Sequence, residues 1–324
     1  MQAKGKRANP SVQEPSVYLK GKMIPAAQAH VAIYDAAVVL GATVTDLVRT
    51  FRHRLFRLED HIARFYRSCK YTRIHPVESA DETIRLCREL TERNSVFLKP
   101  EEDLSLVLFL SPGELKIYAG GAGMSGKMEP TFCLHTFPIP FYLWKQAFTD
   151  GIHVITPSIR HVPPQCVDPK IKCRSRMHWW LADQEAHLTD PKAVALCLDL
   201  DGNVTETGGS NFLIVKNGSV LSPLPRNILP GISMLTVMDL CREMKIPFVE
   251  RDFQVHDVIN ADEAFLPTTP YSLAPVTRIN GLPIGNGRPG LMFKRLTEAW
   301  SRLVGMDIVK QVLDSNPPAT ENKR

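Results

Sequence analysis

The chain is 324 residues long, 44% hydrophobic and 23% charged, with a formal net charge of +5, a composition ordinary for a soluble globular protein. Its length exceeds what one small core organises and suits two packed domains. Basic and acidic residues are interspersed and no apolar run approaches bilayer length, so neither nucleic acid nor a membrane is an expected partner.

Residues 1–16 are polar, lack the apolar stretch of a leader peptide and read as a disordered extension. Val17 to Tyr34 alternates around Lys20-Gly21-Lys22 as a hairpin. Thr45 to Phe51 and Leu55 to Leu58 are expected to be extended, with a turn at Arg52 to Arg54. Asp60 is expected to cap a helix with Ile62, Phe65 and Cys69 on one face, and Ser79 to open a second with Ile84, Cys87 and Leu90. Leu104 to Leu110 reads as a buried strand.

The stretch Gly121 to Lys127 meets the first half of a phosphate-loop pattern. Met128 stands where a Ser or Thr would hold Mg²⁺, so a glycine-rich loop is the better reading. Prolines 138 and 140 forbid a helix interior. Residues 137–144 therefore read as a linker between a small domain, 17–136, and a larger one, 145–314, ahead of a disordered tail, 315–324. In the larger part, strands are expected at Ile152 to Ile155, Ala193 to Leu198, Asn211 to Val215 and Glu263 to Leu266. Asp201-Gly202 and Asn217-Gly218 signal hairpins, and helices fit Met177 to Ala186, Ile232 to Met244 and Pro289 to Leu303. Strands and helices mixed without strict alternation give an α+β class. The seven cysteines are odd in number, with no C-x-x-C pair. That argues against a disulfide framework or a zinc site and for a reducing, cytoplasmic setting.

Five blocks carry chemistry: Phe56 to Phe65, Asp168 to Ala186, Asp201 to Leu213, Leu229 to Ser233, and Phe265 to Val276. Each has a physical task around one aldehyde cofactor. A lysine amine in the second block can form a Schiff base with a carbonyl where its surroundings lower its pKa. A carboxylate, Glu206, keeps a cofactor ring nitrogen protonated. The helix start at Gly231-Ile232-Ser233 offers free N–H groups to a phosphate. Thr268 and Thr269 add hydroxyls, and Arg64 a charge-assisted fork.

In this order the blocks resemble the class IV aminotransferase family, which includes branched-chain aminotransferases, D-amino-acid aminotransferases and aminodeoxychorismate lyases. The resemblance runs from about Tyr18 to Val309. It implies the two-domain fold-type IV architecture, with 145–314 as the cofactor-binding domain and pyridoxal 5'-phosphate between the domains. It also implies a homodimer whose partner subunit contributes to each site. Carried over residue by residue, Lys172 is the Schiff-base lysine, with Lys170 as its rival. Glu206 is the ring-nitrogen carboxylate and Arg64 the phosphate arginine. Ile232, Ser233 and Thr269 are the phosphate donors.

The departures lie mostly on the substrate side. Arg176 stands where branched-chain enzymes usually place a tyrosine against the cofactor's phenolic oxygen. It takes over that contact, binds a substrate carboxylate together with Arg174, or turns to solvent. Thr269-Pro270-Tyr271-Ser272 replaces the loop that meets the substrate carboxylate, and Thr45-Asp46 replaces a Tyr-Glu pair. Leu110 to Gly113 lacks the arginine of D-amino-acid enzymes, which disfavours D specificity. Thr45, Arg174, Pro270 and Tyr271 are thus the substrate-side candidates. The expected reaction is transamination between an aliphatic amino acid and a 2-oxo acid. An aminodeoxychorismate-type lyase and a catalytically silent binding protein are the alternatives.

Overall fold

The computed structural model describes residues 14–118 and 128–317. The expected glycine-rich loop at 121–127, and 1–13 and 318–324 of the expected terminal extensions, lie outside the described residues.

Apolar alternation in the N-terminal part builds one antiparallel sheet. Its strands are β1 (Ser16–Leu19), β2 (Lys22–Pro25), β3 (Val44–Phe51), β4 (Arg54–Leu55), β5 (Leu104–Ser111) and β6 (Thr131–Pro138), in the order β2-β1-β6-β5-β3-β4. A short helix α1 (Ala36–Val39) precedes β3, and the longer α2 (Leu58–Thr72) and α3 (Ala80–Ser95) follow β4. Ile62, Phe65 and Cys69 of α2 and Cys87 and Leu90 of α3 share a core with Leu106, Leu108 and Leu134 of the sheet. Ser79 caps α3 by accepting from the Glu82 N–H at 3.2 Å.

Four local expectations are corrected. The first hairpin stops at Pro25, which cannot extend a ladder as a donor, and a single 3-10 turn follows at Ala26–Gln28. Leu58 begins α2 rather than ending a strand, and the residue before it, Arg57, is the N-cap at φ 51. Asp60 therefore sits in the first turn, where its charge suits the helix dipole and accepts from Arg57 Nε at 2.6 Å. Finally, Phe137 and Pro138 belong to β6, opposite Ser105 and Leu104, so the chain leaves the first sheet at Ile139. That end of β6 is paired on one side only, where a proline is tolerated.

The second sheet contains β7 (Ile152–Ile155), β8 (Val194–Leu198), β9 (Val204–Thr207), β10 (Leu213–Lys216), β11 (Ser219–Ser222), β12 (Phe248–Glu250), β13 (Glu263–Thr268), β14 (Ser272–Ile279) and β15 (Leu282–Pro283). Their order is β12-β11-β10-β13-β14-β7-β8-β9, with β15 against β14. The two expected hairpins join β8 to β9 and β10 to β11. Asn217 and Gly218 supply the positive φ values, 51 and 75, that such a tight turn requires. Strand β14 was not anticipated because Pro275 interrupts its pattern. Its neighbour β7 joins only from Val276 onward, so the proline lies where the strand is paired on one side.

Helices α4 (Lys145–Thr149), α5 (Met177–His187), α6 (Ile232–Glu243), α7 (Val255–Ile259), α8 (Leu291–Val304) and α9 (Ile308–Asp314) complete this half. Phe212, Phe265, Val237, Leu296 and Trp300 anchor its core. Two sheets with two cores make a two-domain α+β fold. Among the described residues no helix is long and apolar enough to cross a membrane.

Candidate active site

Where the two halves meet, they enclose a cavity of about 730 Å³. All twelve candidate residues line it. Thr45 and Arg64 come from the first half, and Lys172, Arg174 and Arg176 from the segment entering α5. Glu206 comes from β9, Ile232 and Ser233 from the first turn of α6, and Thr268 to Tyr271 from the end of β13 and its turn into β14.

The lysine segment has no regular structure of its own and is pinned to the first half by its backbone. Thr45 N–H donates to the Lys172 carbonyl at 2.9 Å, and Arg174 N–H to Thr43 Oγ1 at 2.8 Å. Lys172 is half-buried, and the surface it retains faces the cavity. Burial, reinforced by the nearby Arg64 and Arg176 charges, pushes its ammonium down to about 7 against the pull of Asp46 and Glu206. An amine with that pKa is substantially neutral, hence nucleophilic, near pH 7. The rival Lys170 is exposed, pairs with Asp168 at 3.8 Å and does not line the cavity.

Arg64 is gripped from behind. Its Nε donates to Asp46 Oδ2 at 2.9 Å and its Nη2 to Asp46 Oδ1 at 2.7 Å, while Nη1 donates to the Pro230 carbonyl at 3.1 Å. His61 Nδ1 lies 2.8 Å from the same Asp46 oxygen. Burial would raise the Asp46 pKa, but Arg64 and His61 outweigh it and hold the carboxyl well below the usual range. Asp46 alternates with Thr45 and Leu47 on β3, which puts its side chain behind the cavity wall rather than on the substrate side. The Thr45 hydroxyl itself donates to the Leu108 carbonyl at 2.7 Å.

Glu206 is held differently. Asn211 Nδ2 donates to Oε2 at 3.0 Å, and Leu229 N–H reaches both oxygens at 3.2 Å. His161 Nε2 stands 3.6 Å from Oε1. Beside this carboxylate begins α6, whose N-cap Gly231 provides no side-chain cap for the first N–H groups. A Cβ on Gly231 would meet Asn211 Oδ1 at 2.0 Å, so only glycine permits this approach. The Thr268 hydroxyl donates to the Gly209 carbonyl at 2.7 Å and is spent inside the wall. Arg176 is tied to the Gly208 and Cys173 carbonyls at 2.9 and 3.1 Å. The uncapped helix start, the adjoining Arg64 fork and the glycine fit a phosphate group. Glu206 and Lys172 fit the ring nitrogen and aldehyde of the same molecule.

A family model of amino-transferase class IV matches residues 43–279. The chain belongs to this family. The putative branched-chain-amino-acid aminotransferase of Methanocaldococcus jannaschii is 31% identical over 283 residues, covering 87% of this chain and 94% of that protein. The D-alanine aminotransferase of Bacillus licheniformis is 28% identical, covering 91% and 99%. The crystal structure of the Escherichia coli branched-chain enzyme superposes with a TM-score of 0.82 at 23% identity, over 90% of this chain and 95% of that one. At that identity the likeness establishes the fold, which is type IV. The aminotransferase is pyridoxal-phosphate dependent, as class IV enzymes are, and a branched-chain enzyme of the same fold is crystallised with pyridoxamine 5'-phosphate.

Sequence reasoning missed the supports of the site: His61, Arg49, His161 and the true place of Asp46. One signal was present. His61 and Arg64 are three apart on α2, so they share a face and together call for a buried acid.

Proposed function

We propose that this aminotransferase moves the amino group between a branched-chain or other aliphatic L-amino acid and a 2-oxo acid, with Lys172 as the residue that carries the cofactor. The observation behind this reading is the convergence of a near-neutral lysine, a buried carboxylate and an uncapped helix start on one cavity. Pyridoxal 5'-phosphate supplies a ring that accepts the electron pair of the substrate's Cα–H bond.

The chain's own residues do the rest. Arg64, with the Ile232 and Ser233 N–H groups and Thr269, binds the phosphate; Thr268 adds its backbone. Glu206 holds a proton at the ring nitrogen. The Lys172 amine would hold the cofactor at its aldehyde carbon and would move the proton at the substrate Cα. Arg176, fixed by two carbonyls, turns its remaining donors to the phenolic oxygen or, with Arg174, to the substrate carboxylate. Pro270 and Tyr271 shape the turn that meets that carboxylate, and Thr45 borders the substrate side.

Leu47, Ile171, Val162, Val167 and Trp144 on the cavity wall suit an aliphatic side chain. On the relevant strand, Ser111 is sealed against Asp35 at 2.6 Å and no arginine follows, which supports L over D. Ile33, Val38, Leu40, Met177 and Trp180 stay exposed on one chain, as a homodimer would require. Seven free cysteines accord with a cytoplasmic setting.

The test is the visible spectrum of the cofactor-loaded protein with a panel of amino acids. Bleaching by aliphatic L-amino acids, reversal by a 2-oxo acid and loss of the band in Lys172→Ala are expected. Pyruvate release from one substrate with no acceptor would instead identify a lyase. A band that answers to no amine would leave a binding protein.

A further inference from the structure

The turn between β13 and β14 is held from behind by an arginine of the other half. Arg49, on β3, is 3% exposed. Its Nη1 donates to the Pro270 carbonyl at 2.9 Å and lies 3.5 Å from Ser272 Oγ. Its Nη2 donates to Gln311 Oε1 at 2.9 Å and reaches Asp103 Oδ2 at 3.4 Å, while Nε donates to the Thr50 carbonyl at 2.9 Å. The guanidinium lies over the Phe51 ring, 3.8 Å from its centroid. Gln311, on α9, uses the other end of its amide to donate to Asp103 Oδ2 at 2.7 Å.

Neither Arg49 nor Gln311 lines the cavity, yet a chain of contacts runs from the C-terminal helix to the cavity's edge. The turn needs such support. Ser272 sits at φ 65, a left-handed conformation that non-glycine residues keep only where their surroundings impose it. Each contact in the chain involves a charged partner, and Arg49 itself is buried, where a hydrogen bond is stronger than at the surface.

We propose that Gln311 and Arg49 are positioning residues through which α9 fixes the Thr269-Pro270-Tyr271 turn and sets the affinity for the substrate carboxylate. This rests on the reading that the turn meets that carboxylate. Without Gln311, the Arg49 Nη2 keeps only the longer contact to Asp103, so the guanidinium is free to turn toward that carboxylate and loosen its hold on the Pro270 carbonyl.

The experiment uses the cofactor-loaded enzyme and the best donor from the panel, with Gln311→Leu, Arg49→Met and Pro270→Gly. For each, KM, kcat, cofactor affinity, the Kd of a non-reacting aliphatic carboxylate and amide exchange across 268–273 are measured. Loss of a hydrogen bond to a charged group predicts that Gln311→Leu raises KM and the carboxylate Kd about tenfold. Arg49→Met is expected to raise them further, and both variants speed exchange in the turn. In Gln311→Leu, kcat and cofactor affinity stay near their starting values. A rise with Pro270→Gly but none with Gln311→Leu would overturn the relay while leaving the turn's role intact. No change with any variant, Pro270→Gly included, would overturn the turn's role and the relay with it. Gln311 is half-buried on a terminal helix, so its variant decides the matter even if Arg49→Met fails to fold.

Discussion

Two buried charges line the cavity, and the protein treats them in opposite ways. Arg64 is met by a full counter-charge, Asp46, in a two-pronged contact. Glu206 is met at hydrogen-bond distance by neutral donors, the Asn211 amide and the Leu229 N–H. The first arrangement fixes a guanidinium in place and cancels much of its long-range field. The second fixes a carboxylate and leaves its charge to act on whatever occupies the cavity. Lys172 feels both and registers the sum: burial and the arginines press its proton off, and the two acids pull it back. Anchoring a charge and displaying a charge are separate tasks, done here by ionic and neutral partners respectively.

The largest effect should come from breaking the ionic side. Asp46→Asn leaves Arg64 buried without its counter-charge, and removing one partner of a buried pair costs about 3–5 kcal/mol. Urea unfolding at pH 7 measures it. The folded pKa of Asp46 lies below its unfolded value, so its contribution is complete above the ordinary aspartate pKa of 3.8 and is lost as pH falls through the lowered value. The wild type should therefore lose stability on acidification by a component that Asp46→Asn lacks. Equal acid sensitivity in both proteins would mean that the pair does not anchor Arg64.

A smaller effect tests the neutral side. Glu206→Gln keeps the shape and an acceptor for the Asn211 amide but removes the charge. If that charge is what the site displays, kcat falls by about 10²-fold, the size found for deleting one preorganised electrostatic group. Stability and phosphate affinity should change little. Unfolding on the scale of Asp46→Asn would show that Glu206 is an anchor as well, and the contrast would fail.

The contrast also marks how much was legible beforehand. Lys172, Glu206 and the α6 start each sit in a short block that singles them out in the sequence, and the structure gathers all of them around one cavity. What stabilises them is long-range. Asp46 and Arg64 are 18 residues apart, Arg49 and Pro270 are 221 apart, and Arg49 and Gln311 are 262 apart. No periodicity in a sequence reports a contact at such separations. The same limit hid β14, whose Pro275 is permitted only by where β7 begins to pair. It also hid the Thr268 hydroxyl, whose carbonyl partner at Gly209 is 59 residues away.

The finest test concerns the sum that Lys172 registers. With a folded pKa of about 7 against 10.5 for a free lysine, its proton is lost in the folded state first. Between those values the unfolded chain binds the extra proton, so the stability of the cofactor-free protein should rise with pH across that window. Arg176 is one of the charges holding the value down, whereas its own two carbonyl contacts are local. Arg176→Leu should therefore move the onset of the stability rise of the cofactor-free protein to higher pH, with only a small change in stability at pH 7. The stability limb is read without cofactor, so it separates an effect on the lysine from an effect on the phenolic oxygen. A change in activity alone would assign Arg176 to the cofactor or substrate, and a shift in the stability onset as well would assign it to the lysine too.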